Sequence, residues 1–264
     1  MKHKVAIVTG ESSGIGRCTA VALREAGCTV YGFSRRQIPL DGVMHMDVDV
    51  TREESIASAL DEVMKAEGRV DILVNCAGNG IAGAVEFTQQ KDAKAQFEVN
   101  FFGMVNMNKA VLPILREQGS GRIVNISSVA AVAHIPFQTF YSASKAAVES
   151  YTCCLANEVR PFKITVVCVQ PGDICTGFTE ARRSSYEGDD VYGGRIARSV
   201  SGMEKDERNG MKPEVAGKYI AKTALRSHSR PICTLGLGYQ FLSLLCKLLP
   251  CRLRNWIVGL LYAR

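Results

Sequence analysis

A chain of 264 residues with 47% apolar and 22% charged side chains can bury a full core, which excludes a disordered or fibrous protein. The net charge of +6 is uneven: Val215 to Arg264 holds eight basic residues and no acidic one, leaving residues 1–214 with 24 basic against 26 acidic. A basic nucleic-acid-binding body is thereby excluded. The ten cysteines form no C-x-x-C pair and no metal-type Cys/His spacing. They read as small core hydrophobes in a reducing cytoplasm, and no metal site is expected. The first nine residues hold too short an apolar run for a secretory signal, and no stretch reaches the ~18–20 apolar residues that cross a bilayer.

The predicted elements alternate between strand and helix. Val5–Val8 is an apolar, β-branched run ended by Thr9-Gly10, and Ile15–Ala26 has helical spacing closed by Gly27. Strands follow at Thr29–Phe33 and Val43–Met46. Arg52–Glu67 is a helix with an apolar stripe at Ile56, Leu60, Val63 and Met64. Val70–Val74 is a strand, Asp92–Leu115 one or two helices, Arg122–Ile126 a strand, Tyr141–Val159 a helix and Ile164–Val169 a strand. The runs are continuously apolar, as expected of strands covered on both faces. Alternation then implies right-handed crossovers and a doubly wound parallel α/β sheet of about seven strands, one domain over 1–264. Residues 177–212 break the rhythm with seven acidic residues, seven basic residues and six glycines, and read as a mobile loop. Pro213–Arg226 returns to helix and Pro231–Thr234 to strand. The tail, 236–264, is apolar with interspersed Lys247, Arg252 and Arg254, and Pro250 divides it into two short pieces.

Three groups of residues carry chemistry. Between the first strand and first helix lies Thr9-Gly10-Glu11-Ser12-Ser13-Gly14-Ile15-Gly16. Glycines there let backbone N–H groups approach a pyrophosphate at a positive helix N-terminus, although any tight turn can use them too. Tyr141 and Lys145 are one helical turn apart. An ammonium beside a tyrosine lowers its pKa and makes it a proton donor and acceptor, although such a pair alone fits a solvated helix face. Ser127-Ser128 follows the strand ending at Ile126, at its carboxyl end.

The turn at 9–16, Asn75-Cys76-Ala77-Gly78, Tyr141-Ser142-Ala143-Ser144-Lys145 and Pro171-Gly172 resemble, in order and spacing, the short-chain dehydrogenase/reductase family. The resemblance implies a Rossmann-type fold and a nicotinamide cofactor. Tyr141 then transfers the proton, Ser128 bonds the substrate oxygen, Lys145 binds the nicotinamide ribose, and Asn100 holds a relay water. Cofactor contacts are expected from Gly10, Ser12, Ser13, Gly14, Ile15, Gly16, Asn75, Ala77, Gly78, Tyr141, Lys145, Pro171, Gly172, Ile174 and Thr176. Asp49 and Val50 match the adenine-contacting pair.

Ser34 stands where an NAD-specific site has an acid, and Arg35 and Arg36 follow it, which favours a 2′-phosphate and so NADP(H) over NAD(H). Glu11 opposes that charge unless it pairs with Arg35 or Arg36. Substrate contacts are expected from Ser128, Tyr141, His134 and Phe178, with Val129 and Phe137 behind them. The long tail resembles that of hydroxysteroid-type members and fits a pocket cover, an interfacial membrane contact or a dimer contact. The expected activity is NADP(H)-dependent oxidoreduction of a lipophilic alcohol or ketone such as a hydroxysteroid. The alternatives are a 3-oxoacyl (acyl-carrier-protein) reductase and a non-catalytic NADPH-binding scaffold. A homodimer or homotetramer is expected, paired through the long helices.

Overall fold

A computed structural model describes residues 3–263. Seven parallel strands form the central sheet: β1 (Val5–Thr9), β2 (Thr29–Ser34), β3 (Val43–Asp47), β4 (Ile72–Asn75), β6 (Gly121–Ile126), β7 (Ile164–Gln170) and β9 (Ile232–Thr234). Their spatial order is β3-β2-β1-β4-β6-β7-β9. A two-stranded parallel ribbon joins β5 (Ile81–Ala82) to β8 (Arg183–Ser184).

The continuous apolar runs serve two cores at once, because successive side chains leave a strand on opposite faces. Val5, Ile7, Leu73, Ile123 and Val166 face α2 (Glu53–Glu67), α4 (Met104–Gln118) and α6 (Thr139–Glu158). Ala6, Val8, Ile72, Val74, Val124 and Val169 face α1 (Gly14–Glu25) and α9 (Pro213–Leu225). Helices on both faces and one sheet between them give the expected doubly wound layers.

The one or two helices predicted at Asp92–Leu115 are two α-helices joined by a π turn. α3 (Gln90–Phe97) passes through one π turn, Glu98–Gly103, into α4. The segment 177–212 is not a structureless loop. It contains a short helix α7 (Phe178–Ala181), strand β8 and helix α8 (Arg195–Arg208). Asp189 accepts from the backbone N–H groups of Ile196 and Ala197 (2.9 and 3.1 Å) and so starts α8. Ile196, Val200 and Met203, spaced four and three apart, bury its inner face. A further short helix, α5 (Ala130–Ala133), follows β6. The tail forms α10 (Leu237–Leu248) and α11 (Cys251–Tyr262), broken at Pro250 as its sequence implies.

Candidate active site

Strand order reverses between β1 and β4, the switch point at whose carboxyl edge open α/β sheets bind ligands. The glycine turn after β1 is fixed by close approach. Gly10 has φ +70°, and a Cβ there would lie 3.0 Å from the Ala77 backbone. A Cβ on Gly16 would collide with the Gly10 carbonyl. Thr9 Oγ1 accepts from the Ala77 N–H (3.0 Å) and ties the two loops. The first turn of α1 holds no acidic residue, and Ser13 makes no side-chain cap bond. The helix N-terminus is therefore open to an anion.

A cavity of about 490 Å³ runs from this turn across the sheet's carboxyl edge. One end is lined by Gly10, Ser12, Ser13, Gly14, Ile15, Gly16, Ser34, Arg35, Arg36, Asp49 and Val50, the residues from which nucleotide contacts are expected. Ala77, Gly78, Pro171, Gly172, Ile174 and Thr176 continue the wall toward Ser128, Val129, Tyr141, Lys145 and Phe178. These residues fit a dinucleotide, with the phosphate turn, the arginines and the Tyr141–Lys145 pair along a single trough.

Four expectations are corrected. Asn75 is buried off the cavity wall. Its Nδ2 donates to Asn108 Oδ1 and Asn125 Oδ1 (both 2.8 Å), and Asn125 Nδ2 donates to Thr152 Oγ1 (3.0 Å). This polar ladder joins β4, β6, α4 and α6 beneath the site. It aligns them through the donated bonds, while Asn75 Oδ1 is buried without a partner among the described residues. His134 is exposed at the end of α5, in left-handed conformation at φ +53°, and lies outside the cavity wall. Phe137 is buried behind the wall, edge-on to Tyr192. Glu11 does not pair with Arg35 or Arg36. Its carboxylate is buried under β2, where Oε1 accepts from the Ser34 hydroxyl (2.9 Å) and meets His45 Nδ1 (2.7 Å).

The chemical end is built on α6 and the π turn. Lys145 is buried, and its Nζ donates to the Ile126 carbonyl (2.9 Å). Burial lowers its pKa to about 8, because a low-dielectric site disfavours the ammonium. Burial pushes Tyr141 up to about 12, opposed by a hydrogen bond with Ser128 and reinforced by the charges of Glu207 and Asp173. Lys145 Nζ lies 5.7 Å from the Tyr141 ring centroid, and burial, not the ammonium, governs the phenol in the protein alone. Asn100 sits in the π turn, a winding that recurs at functional sites. Its Oδ1 accepts from the Asn79 N–H (2.9 Å), and its Nδ2 donates to the Asn79 carbonyl (3.0 Å) and Ser144 Oγ (3.2 Å). A Cβ on Gly78 would lie 3.2 Å from Asn100 Oδ1 and 3.7 Å from Lys145 Nζ, so this glycine keeps a gap between the two. Cys76 also lines the cavity, and burial pushes its thiol up to about 12, which favours the protonated form.

The substrate end contains residues that sequence reading missed. Ile135, Gln138, Asp173, Met203, Asp206, Glu207 and Tyr262 line it. Glu207 is held by the buried Arg182 and by the Thr179 hydroxyl, which donates to it at 2.7 Å. Arg182 in turn lies over the Phe178 ring, whose centroid is 5.8 Å from that of Tyr141. Tyr239 packs on Gly172 and donates to Asp173 Oδ2 (2.7 Å), so α10 braces the Pro171–Asp173 turn. The amphipathic spacing of Ile196, Val200 and Met203 was the available signal for α8. Nothing local marks Tyr262.

A family model described as short chain dehydrogenase matches residues 4–187. The chain is 46% identical over 231 residues to a 3-ketodihydrosphingosine reductase of Bacteroides thetaiotaomicron, with 86% of each chain covered. A short-chain dehydrogenase structure from Streptomyces avermitilis superposes with a TM-score of 0.83 at 33% identity, covering 97% of both chains. A 3-ketoacyl-(acyl-carrier-protein) reductase from Brucella melitensis, solved with NADH, gives a TM-score of 0.75 at 25% identity, covering 89% of this chain and 98% of that one. With the glycine turn, the Tyr141–Lys145 pair and the switch-point cavity in their expected places, the chain belongs to the short-chain dehydrogenase/reductase family of oxidoreductases.

Proposed function

We propose that this oxidoreductase reduces the ketone of a long-chain 2-amino ketone, of the kind named for its Bacteroides relative, with NADP(H). The observation that carries the reading is the pairing of groups in one cavity. Tyr141 and Ser128 stand in the same space as the carboxylates of Asp173, Asp206 and Glu207. An ammonium beside the ketone finds those carboxylates while the carbonyl oxygen meets the two hydroxyls. Ile135, Met203, Phe178 and Tyr262 offer apolar surface to an alkyl chain. A hydroxysteroid has no cation to match the carboxylates, so the amino ketone replaces it as the preferred substrate. A non-catalytic scaffold has no use for a buried Tyr/Lys/Asn set.

The cofactor supplies a hydride when bound. Ser128 orients the carbonyl oxygen, and the Tyr141 phenol gives it a proton. Lys145 as ammonium holds the ribose and favours the phenolate that remains. Asn100, across the Gly78 gap from Lys145, positions a water that returns the proton. Arg35 and Arg36 hold the 2′-phosphate. With Glu11 turned under β2 and partnered by Ser34 and His45, its charge is withdrawn from the trough. The unbridged cysteines fit a reducing cytoplasm. Pairing of α4 and α6 with a second copy would cover the exposed Phe102.

The test is NADPH oxidation with a long-chain 2-amino ketone, its N-acetyl derivative, a ketosteroid and a 3-oxoacyl thioester. The amino ketone should give the highest kcat/KM. Asp206 makes no hydrogen bond or ion pair among the described residues, so Asp206→Asn should leave the fold alone and raise KM for the amine several-fold. The N-acetyl compound should be unaffected. Better turnover of the steroid or thioester overturns the assignment.

A further inference from the structure

The tail helices have two unlike faces. Inward, Ser243, Cys246, Val258 and Ala263 are buried, Tyr239 braces Asp173, and Tyr262 walls the cavity. Arg254 Nη1 donates to the Cys246 carbonyl (3.1 Å), tying α11 to α10, and Arg195 Nε donates to the Ala263 carbonyl (2.6 Å), tying both to α8. Outward, Leu237 (84% exposed), Phe241 (69%), Leu244 and Leu248 (73%) form one stripe of α10 at helical spacing. Leu253, Trp256 (61%) and Leu261 are exposed on α11. Of the fifteen exposed large hydrophobics among the described residues, these seven fall from Leu237 onward. The rest are scattered singly, as is normal.

We infer that this outer face docks on the surface of an anionic phospholipid bilayer. Three observations select that occupant. The chain from Val215 onward has eight basic residues and no acidic one, and Lys247 and Arg252 are exposed on either side of the turn at Pro250. Such charge complements phosphate headgroups. Trp256 has the amphipathic ring that settles at a membrane interface. Each helix has twelve residues and is about 18 Å long, too short to cross ~30 Å of hydrocarbon, so both lie in the interface plane.

The placement also serves the cavity. Leu261 faces outward and its neighbour Tyr262 lines the cavity, so one turn of α11 separates lipid from substrate. On this placement a long-chain ketone held in the bilayer would have only α11 between it and the cavity that holds Tyr141. The docking face stands without the substrate assignment; its use for loading rests on it.

Trp256 is the sole tryptophan, so its emission reports this face directly. The full chain is mixed with phosphatidylcholine vesicles or with phosphatidylcholine–phosphatidylglycerol vesicles. Emission should shift to the blue with the anionic vesicles, bilayer-buried bromines should quench it, and the protein should sediment with them. Phe241→Glu with Leu248→Glu should weaken sedimentation by at least about tenfold. Val191→Glu, on another exposed site, should not. All three proteins should reduce a short water-soluble ketone at one rate, which shows that the variants fold. Unchanged Trp256 emission with anionic vesicles, or variants that sediment like the parent, overturns the proposal. A variant that changes mass in light scattering assigns the face to a second copy instead. If vesicles bind but no long-chain ketone is turned over, the docking face stands and the substrate reading fails.

Discussion

The two ends of the cavity are made in different ways. The nucleotide end comes from short contiguous segments, at 10–16, 34–36, 49–50 and 77–78, each at the carboxyl edge of a strand. Backbone does most of its work, through glycines whose Cβ atoms would collide with a neighbouring loop. The other end is assembled from α7, α8, α11 and the loops that carry Ile135, Gln138 and Asp173, and side chains do the work there. Parallel strands and their loops are held by the whole sheet. The substrate wall is held by a few contacts: Tyr239 to Asp173, Arg182 to Glu207, Arg195 to the Ala263 carbonyl. A wall fastened in this way can change shape and specificity while the hydride-transfer end stays fixed.

The sharpest break in that comparison is Tyr141→Phe. The ring keeps its packing against Phe178, and only the proton-bearing hydroxyl is lost. Turnover should fall by about 10²–10⁴, with cofactor affinity from fluorescence titration nearly unchanged. A mutant that keeps more than a few per cent of activity removes Tyr141 from its role.

Next in size, Arg35→Asp tests the nucleotide end alone. Loss of a charge-assisted phosphate contact costs ~1.5–3 kcal/mol, so preference should swing from NADP(H) toward NAD(H) by roughly ten- to a hundredfold. Steady-state kcat/KM for both cofactors checks it. If the parent already prefers NAD(H), the 2′-phosphate reading is wrong.

The smallest effect joins the two ends. Lys145 has a pKa depressed to about 8, so its ammonium is present below that pH and is lost as pH rises through it. Tyr141, raised to about 12, remains a proton donor throughout. Reduction should be level below about pH 8 and fall by up to about tenfold per unit above it. A flat profile to about pH 10 would mean that bound cofactor returns the Lys145 pKa to its ordinary range.

How much was legible follows from how each part is specified. β1, its glycine turn, and the Tyr141–Lys145 spacing are local patterns, and each is read correctly from a few adjacent residues. The double-sided core is equally plain in runs such as Ile164–Val169. Asn75 was legible as a motif but not in its role, because pairing with Asn108, Asn125 and Thr152 depends on three other elements. The 177–212 segment looked mobile because its composition is polar. Three buried apolar residues on one face of α8 were enough to order it. Asp206 and Tyr262 reach the cavity only through tertiary packing, which no local spacing encodes.

The π turn at Glu98–Gly103 has a consequence for how this helix can vary. Such a turn carries one residue more than regular winding needs. It therefore absorbs that residue without turning its flanks: deleting one residue between 98 and 103 would let the stretch close as regular α-helix, with α3 and α4 kept in their present phase. The buried stripe Met107–Val111–Leu115 would stay in the core, while the widened turn that sets Asn100 against Asn79 and Ser144 would be lost. A single-residue deletion here should therefore leave a folded protein that has lost the Asn100 geometry, so the extra residue serves the site and not the fold.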